Sequence, residues 1–376
     1  MQGKMILDEF KETAGDSLKY LRNWKSRSGK KILGYFCTNT PEEIIHAAGF
    51  LPVRILSSPT TISLAAKHLQ SYSCSLVQSS LEAALRGDLN FLDGTVFPHT
   101  CDSIQRLSDI WWENLRFSFH WDVVLPVKLH TDSARTYMIQ ELNRFRKGLG
   151  EFTGHPITDG DLKRSISLFN QNRSLLRQLY RRRMENPEKI SPGANLAIIQ
   201  SATFMPKEEF NPKLQNFLDS QVSLDQSSNH KLRLFISGSV CNHSQIFALF
   251  DHLNAHVVGD DLCTGWRYFS EDASLDGDPI AALADRLIRR VPCPCKHNPR
   301  VDRSEDLIQR VEEARAQGVI FLLLKFCDPH AFDYPYLKEK LSAKRISSLL
   351  MEIEPGSMPL GAVETRLQAF IETLGG

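Results

Sequence analysis

Apolar residues along this chain recur with two different periods, and the two patterns alternate. Short, nearly continuous apolar runs at 32–36 (ILGYF), 50–56 (FLPVRIL), 95–97 (TVF), 122–126 (DVVLP) and 319–325 (VIFLLLK) have the length and residue types of buried strands. So do LRLFIS after Lys231, HVVGDD and SSLLMEIEP. Between them lie segments of helical period. Residues 5–27 predict one amphipathic helix that breaks at Ser26, Ser28 and Gly29. After the first strand, Thr40 is positioned as a helix cap, with Pro41 at the first helical position and Glu42 and Glu43 facing the positive end of the helix dipole. Gly49 ends that helix, so 32–56 reads as a βαβ unit. Ser73 or Ser75 caps a helix that stops at Gly87, and residues 103–119 predict another with Leu107, Ile110, Trp111 and Leu115 on one face.

The alternation divides the chain. Residues 1–132 predict an N-terminal α/β domain, 133–230 a helical connector of long polar helices, and 231–376 a second α/β domain ending in a helix at 364–374. The expected fold is α/β: two Rossmann-like or flavodoxin-like parallel-sheet domains joined by the connector, with a cleft between them. The stretch 221–230 is the expected linker. Within the connector, the run Arg181, Arg182, Arg183 reads as a solvated helix face.

Composition narrows the partners. With 45 basic and 44 acidic residues in 376, the net charge of +1 gives no electrostatic footprint for nucleic acid. No apolar run is long enough to span a bilayer, and the first twenty residues lack the apolar core of a secretory signal, so the expectation is a cytoplasmic protein with no membrane partner.

The eight cysteines carry the candidate chemistry. Cys37, Cys101, Cys241, Cys263 and Cys327 fall at expected carboxyl ends of strands, and Cys74 at a helix start. Strand ends in open α/β sheets line a cleft, where thiols act as ligands more readily than as core filling. Thiols far apart in sequence but converging on one cleft suit an iron–sulfur cluster better than a structural zinc, whose ligands come in local pairs. Cys293, Cys295 and His297 (CPCKH) form the compact metal-like motif, which lacks a matching second pair and reads as a loop against the cleft. There is no Walker or G-x-G-x-x-G phosphate loop and no nucleophile elbow.

The segments GYFCTNTPEEIIHAAGFLPVRI, YSCSLVQSSLEAALRGDLNFLDGTVFPHTCDSIQRLSDIW, GDDLCTGWR and VIFLLLKFCDP, with the TRLQAFIE tail, resemble the 2-hydroxyacyl-CoA dehydratase and benzoyl-CoA reductase family. TVFPHTCDSIQRLSDIW is most similar to the smaller cluster-binding subunit of the ATP-dependent benzoyl-CoA reductases. The resemblance implies a [4Fe-4S] cluster bound through three cysteines, which map onto Cys74, Cys101 and Cys327. It implies an electron from a separate ATP-hydrolysing iron–sulfur activator, a homologous second subunit, and an acyl-CoA substrate reduced through a ketyl-type radical. The outcome is reduction of an aromatic acyl-CoA or, in the dehydratases, loss of a hydroxyl. Cys37, Cys241 and Cys263 exceed that set. They keep open a double-cubane cluster with six cysteines, of the kind found in related proteins, or an electron-transfer role without a CoA substrate. His99, beside Cys101, either supplies a proton or orients the ligand loop.

Overall fold

The computed structural model describes residues 2–57, 60–220, 231–253, 255–290, 293–354 and 359–375. The N-terminal helical pattern forms two helices, α1 (Gln2–Gly15) and α2 (Ser17–Ser28), because the Asp16 side chain accepts from the Lys19 amide and starts the chain anew. Then follow β1 (Ile32–Tyr35), α3 (Glu42–Ala47), β2 (Leu51–Arg54), α4 (Ser75–Leu85), β3 (Gly94–Pro98), α5 (Asp102–Asn114) and β4 (Phe119–Val123). Two sequence expectations shift here. Pro41 is the cap of α3, not its first residue, and the helix expected to run to 119 ends at Asn114, so β4 begins three residues before the DVVLP run.

Four helices come next in the chain: α6 (Asp132–Thr153), α7 (Asp159–Glu185), α8 (Pro192–Ala202) and α9 (Lys207–Ser220). The expected linker at 221–230 lies outside the described residues. The second block runs β5 (Leu232–Gly238), α10 (Ser244–His252), β6 (Ala255–Asp261), α11 (Trp266–Phe269), α12 (Pro279–Arg289), α13 (Arg303–Glu313), β7 (Gly318–Leu324), α14 (Asp328–Ala343), β8 (Ser347–Ile353) and α15 (Leu360–Gly375).

Both sheets are wholly parallel and share one order, β2-β1-β3-β4 and β6-β5-β7-β8. Helices cover both faces of each, and every residue of β1, β3 and β7 is buried. In this flavodoxin-like order the strand sequence reverses between β1 and β3, and again between β5 and β7. A crevice opens at the carboxyl ends of those strands. Residues just after β1, β3, β5 and β7 are therefore the ones the fold presents for chemistry.

The arginine run is not the solvated face its sequence predicts. Arg183 is buried, with Nη1 3.7 Å from Asp260 Oδ2, and Arg182 reaches the Leu218 carbonyl. These contacts tie α7 and α9 to the second sheet.

Candidate functional site

Each of the three cysteines singled out as ligands caps a helix. Cys74 is the N-cap of α4, Cys101 of α5 and Cys327 of α14. None makes a full side-chain capping bond, yet first-turn amides point toward each sulfur: Val77 and Leu76 at Cys74, Ile104 and Ser103 at Cys101, His330 at Cys327. The positive end of a helix dipole favours an anionic sulfur there. Burial works the other way: it pushes the Cys74 thiol up to about 11 and that of Cys327 well above the ordinary range.

Seven of the eight thiols converge. Cys74, Cys101, Cys263 and Cys327 share one apolar cluster with Val240 and Leu324. Cys327 lies within electrostatic reach of Cys74, Cys263 and Cys101, and Cys263 within reach of Cys293 and Cys37. Cys37 itself stands at φ 60, a left-handed backbone that turns the chain sharply after β1. Interaction with Cys295 is the first cause that takes the Cys101 thiol below its usual range and that of Cys293 to about 6, and the same interactions raise the Cys295 thiol.

The structure therefore redistributes the extra cysteines. Cys37 and Cys263 join the array, whereas Cys241 does not. It is fully buried among Leu234, Ile236 and Phe247, its amide bonded to Thr264 Oγ1 at 3.1 Å, and burial raises its thiol to about 12. Cys293 and Cys295, from the CPCKH motif, take its place. Their loop is held against the first domain by Leu129 N–H to the His297 carbonyl (2.9 Å), His297 N–H to the Val127 carbonyl (2.7 Å) and Lys296 Nζ to the Leu125 carbonyl (3.2 Å). The His297 side chain is exposed and stays outside the thiol group. His99 Nε2 lies 3.0 Å from Asp122 Oδ1, without the alignment of a hydrogen bond, and Asp122 also accepts from Ser108 Oγ at 2.6 Å. The ring thus pairs with β4.

The electrostatics around the thiols are unusual. Arg54, Arg290 and Lys296 are buried, and among the described residues none is ion-paired with a carboxylate. Arg290 donates to the Thr38 carbonyl (2.7 Å) and Thr38 Oγ1 (2.8 Å), and Arg54 to the Cys263 carbonyl (2.8 Å), leaving its Nε unpartnered. All three interact with cysteines of the array. A fourth cation, Arg267, is neutralised by Asp261, with Nε–Oδ1 2.7 Å and Nη2–Oδ2 2.6 Å. Buried cations without counter-anions are strongly unfavourable, so this cleft is built to hold negative charge. No three metal-binding side chains among the described residues converge on a single ion. A multi-thiolate donor set ringed by buried cations fits a polynuclear, anionic iron–sulfur group.

Comparisons with known proteins place the chain in a family. The family model described as 2-hydroxyglutaryl-CoA dehydratase, D-component, matches residues 37–374. The chain belongs to this family. It is 26% identical to the (R)-phenyllactyl-CoA dehydratase beta subunit of Clostridium sporogenes, with 98% of each chain covered. It is 27% identical to a benzoyl-CoA reductase subunit of Thauera aromatica, covering 94% of this chain and 93% of that one. It is 26% identical to the (R)-2-hydroxyglutaryl-CoA dehydratase beta subunit of Acidaminococcus fermentans, covering 98% and 99%. These relatives are subunits of multi-subunit acyl-CoA enzymes. The structure brings Cys74, Cys101 and Cys327 together, and with them Cys293 and Cys295, whose C-x-C spacing on a loop is by itself only a weak metal-like signal.

Proposed function

We propose that this family member is the iron–sulfur subunit of a benzoyl-CoA reductase-type enzyme, with a [4Fe-4S] cluster held by Cys74, Cys101 and Cys327. The observation that carries the reading is three thiols at helix N-termini that adjoin one another, beside buried, carboxylate-free cations that face the neighbouring Cys37, Cys263, Cys293 and Cys295 and, through Lys296, Cys101. When bound, such a cluster supplies single electrons at low potential to an acyl-CoA thioester. The chain's own residues have separate tasks. The helix N-termini and Arg54, Arg290 and Lys296 offset the negative charge of the group, and the apolar wall of Val240 and Leu324 keeps water from it. Tyr72, Trp112, Phe326 and Phe332 stand exposed on the elements that carry the thiols, which supports a cleft closed by a homologous second subunit. Electrons then come from a separate ATP-hydrolysing iron–sulfur activator.

A second reading, a double-cubane centre, is favoured by one observation: Cys37, Cys263, Cys293 and Cys295 adjoin the first three thiols, four more than a single cluster needs. Iron and acid-labile sulfide per chain after anaerobic purification separate the two. About four of each, lost in Cys74→Ser, Cys101→Ser and Cys327→Ser, supports one cubane. Roughly twice that content, halved in Cys263→Ser, supports two, and absence of iron would sink both. Turnover by the complex reconstituted with its partner subunit and activator then decides the substrate. Reduction of benzoyl-CoA is expected; turnover of a 2-hydroxyacyl-CoA alone would make it a dehydratase.

A further inference from the structure

Behind Cys327 runs a buried hydrogen-bonded chain that none of the roles above uses. Asp261, Arg267 and His330 are 3%, 3% and 6% exposed. Arg267 spends its Nε and Nη2 on Asp261, at 2.7 and 2.6 Å. Its Nη1 lies 2.9 Å from His330 Nε2 and 3.5 Å from Cys263 Sγ. On its other side the His330 ring places Nδ1 3.3 Å from Cys327 Sγ.

The chemistry of arginine fixes the direction of every bond in this chain. A guanidinium has donors and no acceptor, so Nε2 of His330 must accept. A neutral imidazole that accepts at one nitrogen carries its proton on the other, so Nδ1–H is available to the sulfur, with the Gly238 carbonyl a second acceptor beside the ring. Asp261 in turn anchors the guanidinium, so neither the ring nor its tautomer is left to chance.

We propose that His330 is a positioning residue for the cluster, held by Arg267 and Asp261 in the tautomer whose Nδ1–H donates to the Cys327 thiolate and raises the reduction potential. The inference rests on the reading of Cys327 as a ligand. Hydrogen bonds to ligand sulfur draw electron density from the metal group and favour its reduced form, one of the levers by which proteins set such potentials. Arg267 extends the effect, since the same nitrogen that orients His330 also donates toward Cys263.

The test compares wild type with His330→Leu and His330→Asn, purified anaerobically. An asparagine amide nitrogen takes the place of Nδ1–H, whereas leucine keeps bulk and removes the donor. Iron content is read first, then the midpoint potential by a redox titration followed in the visible spectrum and by electron paramagnetic resonance. The expected result is wild-type iron in both variants, a more negative potential in His330→Leu, and a return toward the wild-type value in His330→Asn. Wild-type potential in a fully loaded His330→Leu would overturn the proposal, as would loss of iron in both variants, which would make the residue structural. Loss of iron in His330→Leu alone supports the donor role. A wild-type chain that binds no iron would refute the cluster reading and this inference with it. Separately, 15N shifts of the histidine rings in metal-free protein, assigned with His330→Asn, report the tautomer. Protonated Nδ1 is expected, and protonated Nε2 would overturn the geometry even if iron binds.

Discussion

Gly238, the last residue of β5, shows how closely the backbone is packed beneath the thiols. Its φ is 152°, and a Cβ there would run into the Leu322 carbonyl of the neighbouring β7. Since the obstacle is backbone, no rotamer change relieves it. Gly238→Ala is expected to destabilise the protein by roughly 2–4 kcal/mol, through strain at a conformation that L-residues avoid. Urea denaturation of the metal-free protein measures this, and a loss under about 0.5 kcal/mol would show that β5 and β7 separate easily. At this scale the positions of Cys74, Cys101 and Cys327 at helix starts were legible, because strand ends and helix starts are local signals. Cys293 and Cys295 stood out only as a weak metal-like motif on a loop against the cleft, since their approach to Cys101 depends on a loop docked through Lys296 and His297 onto residues 125–129, with Lys296 and Leu125 standing 171 positions apart. Cys241 misled for a related reason. It follows β5 as the others follow their strands, but its bonds with Thr264 turn it into the core, through a contact that spacing does not encode.

Among the elements, α7 packs against both halves. Its capping box, Thr158 with Asp161, starts a helix of 27 residues whose middle meets α3 of the first domain and whose end meets β6 of the second. The join to α3 is ionic: Arg173 Nη1 lies 2.7 Å from Glu43 Oε1, with side chains 4% and 1% exposed. Burial works against the Glu43 carboxylate, but Arg173 and Arg286 outweigh it and hold the group below the usual carboxylate range. Arg173→Met would strand that charge, and a loss on the order of 3–5 kcal/mol is expected. The double variant Arg173→Met with Glu43→Leu is expected to recover much of the loss, because it removes both charges. Equal stability of the single and double variants would contradict this account. Elements with strong period and punctuation, such as β7 and α5's start, were legible in advance. The break between α1 and α2 was not, because one aspartate side chain restarting a helix leaves the amphipathic pattern intact.

For the whole molecule, the repeated strand order was readable only in outline: alternation implies parallel sheets, while the order β2-β1-β3-β4 comes from which strands pair. That global packing also buries histidines, and their protonation sets how the protein responds to acid. Burial holds His120 and His256 below the ordinary range and takes His243, with its Nε2 unpartnered, down to about 4 from 6.5. Each of these groups stays neutral in the folded chain at a pH where the unfolded chain has taken up a proton. The unfolded state therefore binds more protons, and stability must fall as pH drops below about 6.5, with the contribution of His243 growing until about pH 4. Glu208, held at about 2 by its hydrogen bond with His46, acts in the same direction, but only below its ordinary value of 4.5. Asp251 and Asp306, raised by burial, oppose the trend in that carboxylate range. The lowered Cys101 and Cys293 thiols act in the same direction at higher pH, since the unfolded thiols hold their protons up to about pH 9. The melting temperature of metal-free protein is therefore expected to fall gradually from about pH 8 and to go on falling between about 6.5 and 5, where the histidines take over. His243→Phe is expected to make that fall shallower, because it removes the group whose proton affinity changes most among the three. A melting temperature that holds constant down to pH 5 would mean these rings are hydrated in the folded state, and that α10, which His243 caps, packs less tightly than its buried Ile246, Phe247 and Phe250 indicate.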